Sequence, residues 1–208
     1  MSRRVPIRPF ALSLLLGLLS ACTLLPDVEP IRVFLLPAGD MPAADDATRL
    51  ERTLRIHTPQ ASRILAGPRI AVVPAGNQIS AYQGARWGDA APTLLRDRLI
   101  EAFRQSGQLS AVSSEETGLQ ADLALLSDLR AFQSEYVEGA PQVVIRLDAQ
   151  LVSTADQRSL ASRRFEIRQP SSDAQLENVV SAFGQASDEL SRQLLAWTRQ
   201  AVRIAEPR

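Results

Sequence analysis

The side chains that usually carry covalent or metal chemistry are scarce in this chain: one cysteine, Cys22, one histidine, His57, and no lysine in 208 residues. A thiol can be alkylated, attack a carbonyl or bind zinc, and an imidazole can move protons, but each task needs a positioned partner. His57 stands in a polar segment ahead of Pro59, and no second histidine or cysteine exists to complete the usual nitrogen and sulfur zinc set. None of the serines sits in a Gly-x-Ser-x-Gly elbow. A phosphate loop ending in Gly-Lys-Ser/Thr cannot be built without lysine. The acid pairs Asp45-Asp46 and Glu115-Glu116 lack the alternating oxygen ligands of a calcium loop and read as solvated charges. No catalytic residue, metal or cofactor is assigned, and the chain reads as a non-enzyme.

Cys22 is set apart by what precedes it. Arg3, Arg4 and Arg8 open the chain, an apolar run extends from Phe10 to Leu19, and the small residues Ser20 and Ala21 follow. That order is a secretory signal over residues 1–21, too short in its apolar part for the roughly 20 residues that span a bilayer. The run Leu19-Ser20-Ala21-Cys22 resembles the bacterial lipobox. The resemblance implies a thioether to diacylglycerol at Cys22, cleavage before it, and acylation of the new amino group, for instance by palmitate. Two or more acyl chains, at about 0.8 kcal/mol per buried methylene, make a stable anchor. The mature chain then has no cysteine left for a disulfide. Thr23, where an aspartate would signal retention at the inner membrane, points to the outer membrane of a Gram-negative envelope. Removal of three arginines changes a formal charge of zero to −3, which leaves neither a nucleic-acid-binding excess of cations nor a polybasic membrane patch.

The elements that would carry these residues follow from periodicity. With 45% apolar and 22% charged residues, residues 31–208 have the composition of one globular domain. Residues 22–30 hold the anchor cysteine, two prolines and two acids, and read as a tether. The apolar run Ile31 to Leu36 reads as a buried strand stopped by Pro37, and 37–47 as a loop. Strands are predicted at Thr53 to Thr58, Arg69 to Val73, Gln78 to Tyr82 and Leu109 to Val112. A helix is predicted from Pro92, capped at Asp89 and stopped at Gly107, with Leu95, Leu99, Ala102 and Phe103 on one face. Ala121 to Phe132 places Leu123, Leu125, Leu129 and Ala131 on one side. Val143 to Val152 alternates cleanly, and Leu160 to Arg168 pairs with it as an antiparallel neighbour. A long helix from Asp173 to about Arg203 begins at a capping box of Ser172 and Gln175. Its stripe of Leu176, Val180, Phe183, Leu190, Leu194, Trp197 and Ala201 is wide enough to pack on a sheet. The expected fold is an α+β two-layer sandwich, a mostly antiparallel sheet covered by two main helices.

Tyr82, Arg86 and Trp87 are the candidate partner-binding residues, because aromatic rings and guanidinium forks dominate protein interfaces. The alternative is that Trp87 fills the core under the first helix while Arg86 pairs with an acid. The lipobox cysteine, Val33-Phe34-Leu35-Leu36-Pro37, Gly67-Pro68-Arg69-Ile70, the stretch from Tyr82 through Arg86-Trp87 to Pro92, Ala121-Asp122-Leu123, Arg164-Phe165 and the terminal helix with Trp197 occur in that order. Together they resemble the ABC-type transport auxiliary lipoproteins, the PqiC-like family. The resemblance implies a noncatalytic subunit of an MCE-type (lipid-carrying) envelope transport system, which receives the outer end of the MCE conduit and in some members forms a homo-oligomeric ring. Two other readings stay open: an adaptor or activator of a different envelope machine, and a weak periplasmic enzyme working through carboxylates.

Overall fold

The computed structural model describes residues 30–39 and 49–205. The expected signal peptide over residues 1–21, Cys22, the expected tether up to Glu29 and Asp45-Asp46 lie outside the described residues. From Ile31 onward the chain forms one compact unit.

Among the described residues nine strands and two α-helices follow in the order β1 (Arg32–Phe34), β2 (Leu50–Ile56), β3 (Gln60–Ala61), β4 (Arg69–Ala75), β5 (Gln78–Trp87), α1 (Ala91–Ser106), β6 (Leu109–Ser114), β7 (Leu123–Val137), β8 (Ala140–Ser153), β9 (Ser159–Pro170) and α2 (Leu176–Ala205). They make one curled, mixed sheet rather than a flat, mostly antiparallel layer. Five pairings are parallel: β1 with β5, β2 with β6, and β2, β3 and β4 each with β7. The hairpin pairings β4–β5, β7–β8 and β8–β9 are antiparallel. The cause lies in β7, whose 15 residues span roughly 50 Å at ~3.3 Å per residue. One of its edges runs beside β8 throughout. The other is shared by β2 at Leu123 to Leu125, β3 at Asp128 and Leu129, and β4 at Gln133 to Glu135. A register shift between Leu129 and Ala131 marks where the long ladder bends.

The strand β8 follows the expected alternation, with Val143, Ile145, Leu147, Ala149 and Leu151 buried on the helix side. All seven residues of the α2 stripe are buried, and Trp197 meets Phe165 edge-on at 5.6 Å. The predicted caps differ in detail. At α1 the N-cap is Ala90, whose methyl side chain cannot accept a hydrogen bond; Pro92 in the first turn leaves one N–H fewer to satisfy, and Asp89 accepts the Ala90 N–H at 2.6 Å. Gly107 closes this helix in the left-handed region, as the sequence indicated. Ahead of α2 the carboxylate of Asp173, not the Ser172 and Gln175 pair, accepts from Gln175 N (2.8 Å) and Asn178 Nδ2 (2.9 Å).

The segment after β1 is held against both helices. Arg98 on α1 pairs with Asp188 on α2 and donates to the Gly39 carbonyl at 2.8 Å, while Gly39 N–H donates to Asp188 at 3.0 Å. Only a glycine fits on α2 at 184, since a Cβ there would stand 2.8 Å from the Pro37 carbonyl oxygen. A second guanidinium, Arg96, gathers Glu116 (2.7 Å), Asp97 (2.8 Å) and Thr58 (3.0 Å). The acids Glu115 and Glu116 are therefore structural rather than simply solvated. Burial pushes the Glu115 carboxyl up, but two hydrogen bonds from Thr58, together with its own backbone N–H and the charge of Arg96, hold the group below its ordinary value.

Candidate functional site

The candidate residues sit on β5, in the corner β1–β5–β4. The hairpin from β4 to β5 closes at Ala75 and Gln78, and its register then slips: Ala71 faces Ala81, but Arg69 faces Arg86. The extra residues bulge around Gly84, whose φ of 63° a side-chain-bearing residue adopts rarely. Beyond the bulge, Ala85 and Trp87 turn inward while Arg86 turns out.

Trp87 is fully buried and meets Phe183 of α2 at 5.2 Å and Phe132 of β7 at 6.0 Å, both edge-to-face. Of the two readings of this residue, the geometry is that of the core, and its ring offers a partner no surface. Tyr82 is half-buried, and its hydroxyl donates to Ser134 Oγ at 3.2 Å. Burial raises the pKa of this hydroxyl, with the Ser134 bond opposing the shift. Arg86 is exposed. Among the described residues it pairs with no acid, and neither does Arg69 opposite. The pairing of Val33 with Arg86 places Val33, Arg86 and Arg69 in one row across three strands.

The strand β1 departs from its expected burial. Arg32 and Phe34 face the helices, where Arg32 reaches Glu177 at 2.6 Å, but Ile31, Val33 and Leu35 are 60%, 52% and 76% exposed. Their spacing of two was visible in the sequence, yet an unbroken apolar run does not show which face is covered. The facing of Arg69 and Arg86 was not visible in the sequence, because the two lie seventeen positions apart.

His57 borders a shallow cleft of about 450 Å³ on the sheet face turned away from the helices, together with Asp128 and Asp148. Asp148 is committed to Arg164 (2.5 Å) and Arg130 (3.1 Å). These guanidiniums, Arg164 foremost, pull the Asp148 carboxyl down to about 2. It is poorly suited to serve as a base or to orient the imidazole. Among the described residues no group of three or more His, Cys, Asp or Glu is arranged to hold a metal, and no helix is long and apolar enough to cross a membrane.

The family model for the ABC-type transport auxiliary lipoprotein component matches residues 34–195, from the end of β1 to the last third of α2. The chain belongs to that family. A crystal structure of a Xanthomonas campestris protein of the DUF330 family superposes with a TM-score of 0.77 at 31% identity, covering 83% of this chain and 97% of that one. A hypothetical protein from Chlamydia trachomatis shares the fold at 7% identity, with a TM-score of 0.51 over 74% of this chain and 98% of that one. An uncharacterised protein of Bradyrhizobium diazoefficiens is 30% identical over 156 residues, or 75% of this chain. The match spans 42% of that relative's length. The description of the family is that of a lipoprotein component auxiliary to ABC-type transport.

Proposed function

We propose that this auxiliary lipoprotein is the noncatalytic, lipid-anchored subunit of an MCE-type, ABC-linked envelope lipid transporter. Cys22 carries the acyl chains, the domain stands on the periplasmic face of the outer membrane, and several copies form a ring that binds the outer end of the MCE conduit. The observation that carries the reading is the family match over residues 34–195, which takes in nearly the whole described domain. Chemistry at the ATPase and lipid carriage in the conduit then belong to other subunits, and this one contributes position.

The conduit contact is proposed along β5, the strand of Tyr82 and Arg86. Among the described residues β1 alone pairs with its outer edge, and only at Ala85 to Trp87, so Gln78 to Gln83 have no strand partner there beside the half-buried Tyr82 ring. An open edge of this kind accepts a strand from another chain, and the neighbouring side chains select which one. A photo-crosslinking residue in place of Gln83 should capture the MCE protein from the same operon in the intact envelope, whereas one at Gln157 should not. Failure of the wild-type protein to copurify with any such MCE protein would remove the transport reading.

A further inference from the structure

We infer that the outward face of the β1–β5–β4 corner rests on the bilayer: Ile31, Val33 and Leu35 enter the interface, and Arg69 and Arg86 meet phosphates of lipid headgroups. The inference rests on the anchoring at Cys22 proposed above, and names the surface that the anchor brings down.

Three observations converge on this face. The first is apolar exposure. Eight large apolar residues are exposed among those described, and Ile31, Val33, Leu35 and Ile79 are four of them. Ile79 borders the same shallow cleft, of about 620 Å³, as Ile31, Arg69 and Arg86. An edge strand normally turns polar or charged residues to water, which also discourages pairing with foreign strands. Here every outward residue of β1 and its flanks is aliphatic, and the backbone at Gly88 lies close beneath, where a Cβ would stand 3.2 Å from Leu35. Clustered exposure of this kind marks a contact surface.

The second is charge. Arg69 and Arg86 face each other directly in the ladder, an arrangement that like charges disfavour, and no carboxylate among the described residues neutralises them. A guanidinium matches phosphate oxygens with two parallel hydrogen bonds, so an anionic headgroup lying across the row would relieve the repulsion. The third is chain position. Eight residues, Thr23 to Pro30, separate Cys22 from Ile31, and even fully extended they reach at most about 28 Å. The ridge is therefore the first part of the folded domain that follows the anchor. Aliphatic side chains beside unpaired cations suit a phospholipid surface, which offers acyl chains and phosphates together.

The test uses the full lipidated chain reconstituted in phosphatidylethanolamine–phosphatidylglycerol vesicles with brominated or ordinary acyl chains. The native Trp87 and Trp197 are 0% and 8% exposed, which keeps their response to brominated lipid small. Val33→Trp should lose at least half its added fluorescence in brominated vesicles. Leu119→Trp, at an exposed apolar site beyond β6, at the far end of the strand order from β1, should not. Adding Arg69→Ala and Arg86→Ala to Val33→Trp should restore most of the lost signal. Vesicle flotation of the same samples reports anchoring separately. If the Val33→Trp chain floats while its added indole is unquenched, or quenched no more than that of Leu119→Trp, the inference is overturned and the anchor stands. Shielding of the Val33→Trp indole by the MCE protein instead of by lipid also overturns it. Quenching that ignores the two arginine substitutions removes the phosphate contact. A chain that fails to float removes the anchor and the inference together.

Discussion

Trp87 and Arg86 are neighbours in sequence with opposite fates, and substitution should separate them. Trp87→Ala deletes a ring packed edge-on against Phe132 and Phe183. It should cost about 3–5 kcal/mol in denaturant unfolding. Arg86→Ala, on the outer face, should stay within about 0.5 kcal/mol of the wild type. A second residue-scale effect comes from the ion pairs on the sheet. The Asp148 carboxyl is held down from 3.8 to about 2 by Arg164, and Glu166 from 4.5 to about 2 by Arg146 and Arg168. Because the folded values lie below the unfolded ones, the stability these groups contribute is fully present above the ordinary carboxylate range. It is lost as pH falls through that range toward 2. The urea midpoint should therefore drop between about pH 5 and pH 2, and Asp148→Asn should flatten part of that slope. An unchanged slope would show that the partly exposed pairs are screened by solvent.

Among the elements, the helices do more than cover the sheet. Arg98 is 2% exposed and Asp188 is 20% exposed, and their pair holds Gly39 in the crease between α1 and α2. Removing the acid alone leaves a buried guanidinium with only the more distant Glu101, at 3.7 Å, as counter-charge. Asp188→Ala should destabilise the protein by about 3–5 kcal/mol, and Arg98→Leu added to it should recover part of the loss. Thermal or chemical unfolding of both variants checks this. The same pair fixes where the chain leaves β1, so Asp188→Ala should also raise amide exchange across residues 35–39. The long helix itself was readable from its stripe, because 3.6-residue periodicity survives whatever lies beneath it. The sheet was not. Hairpins such as β8–β9 join neighbours in sequence and advertise themselves by a short polar turn. The pairings of β1 with β5 and β4 with β7 connect distant segments and leave no local signal.

At the scale of the whole molecule, the proposed anchor would govern where the fold acts. Cys22→Ser should abolish acylation and release the chain from the outer-membrane fraction. Normal fractionation and acyl labelling of that variant would refute the lipid anchor. If the anchor holds, a correctly folded but untethered domain should fail to support transport even with β5 intact, since two chains linked to one membrane meet at a far higher effective concentration than free ones.

The strand-rich order, the two amphipathic helices and the core face of β8 were all legible in the chain, because each depends on residues within a few positions of one another. Burial of Trp87, exposure of β1 and the meeting of Arg69 with Arg86 were not. Each is set by what another part of the chain brings alongside: Phe183 and Phe132 close over the indole, β1 finds only β5 to pair with among the described strands and stands at the end of their order, and the bulge at Gly84 shifts one arginine opposite the other. An aromatic ring, an apolar run or a lone cation carries the same local pattern in a core as on a surface. Only the long-range pairing of strands sorts one from the other, by deciding which face remains in contact with water.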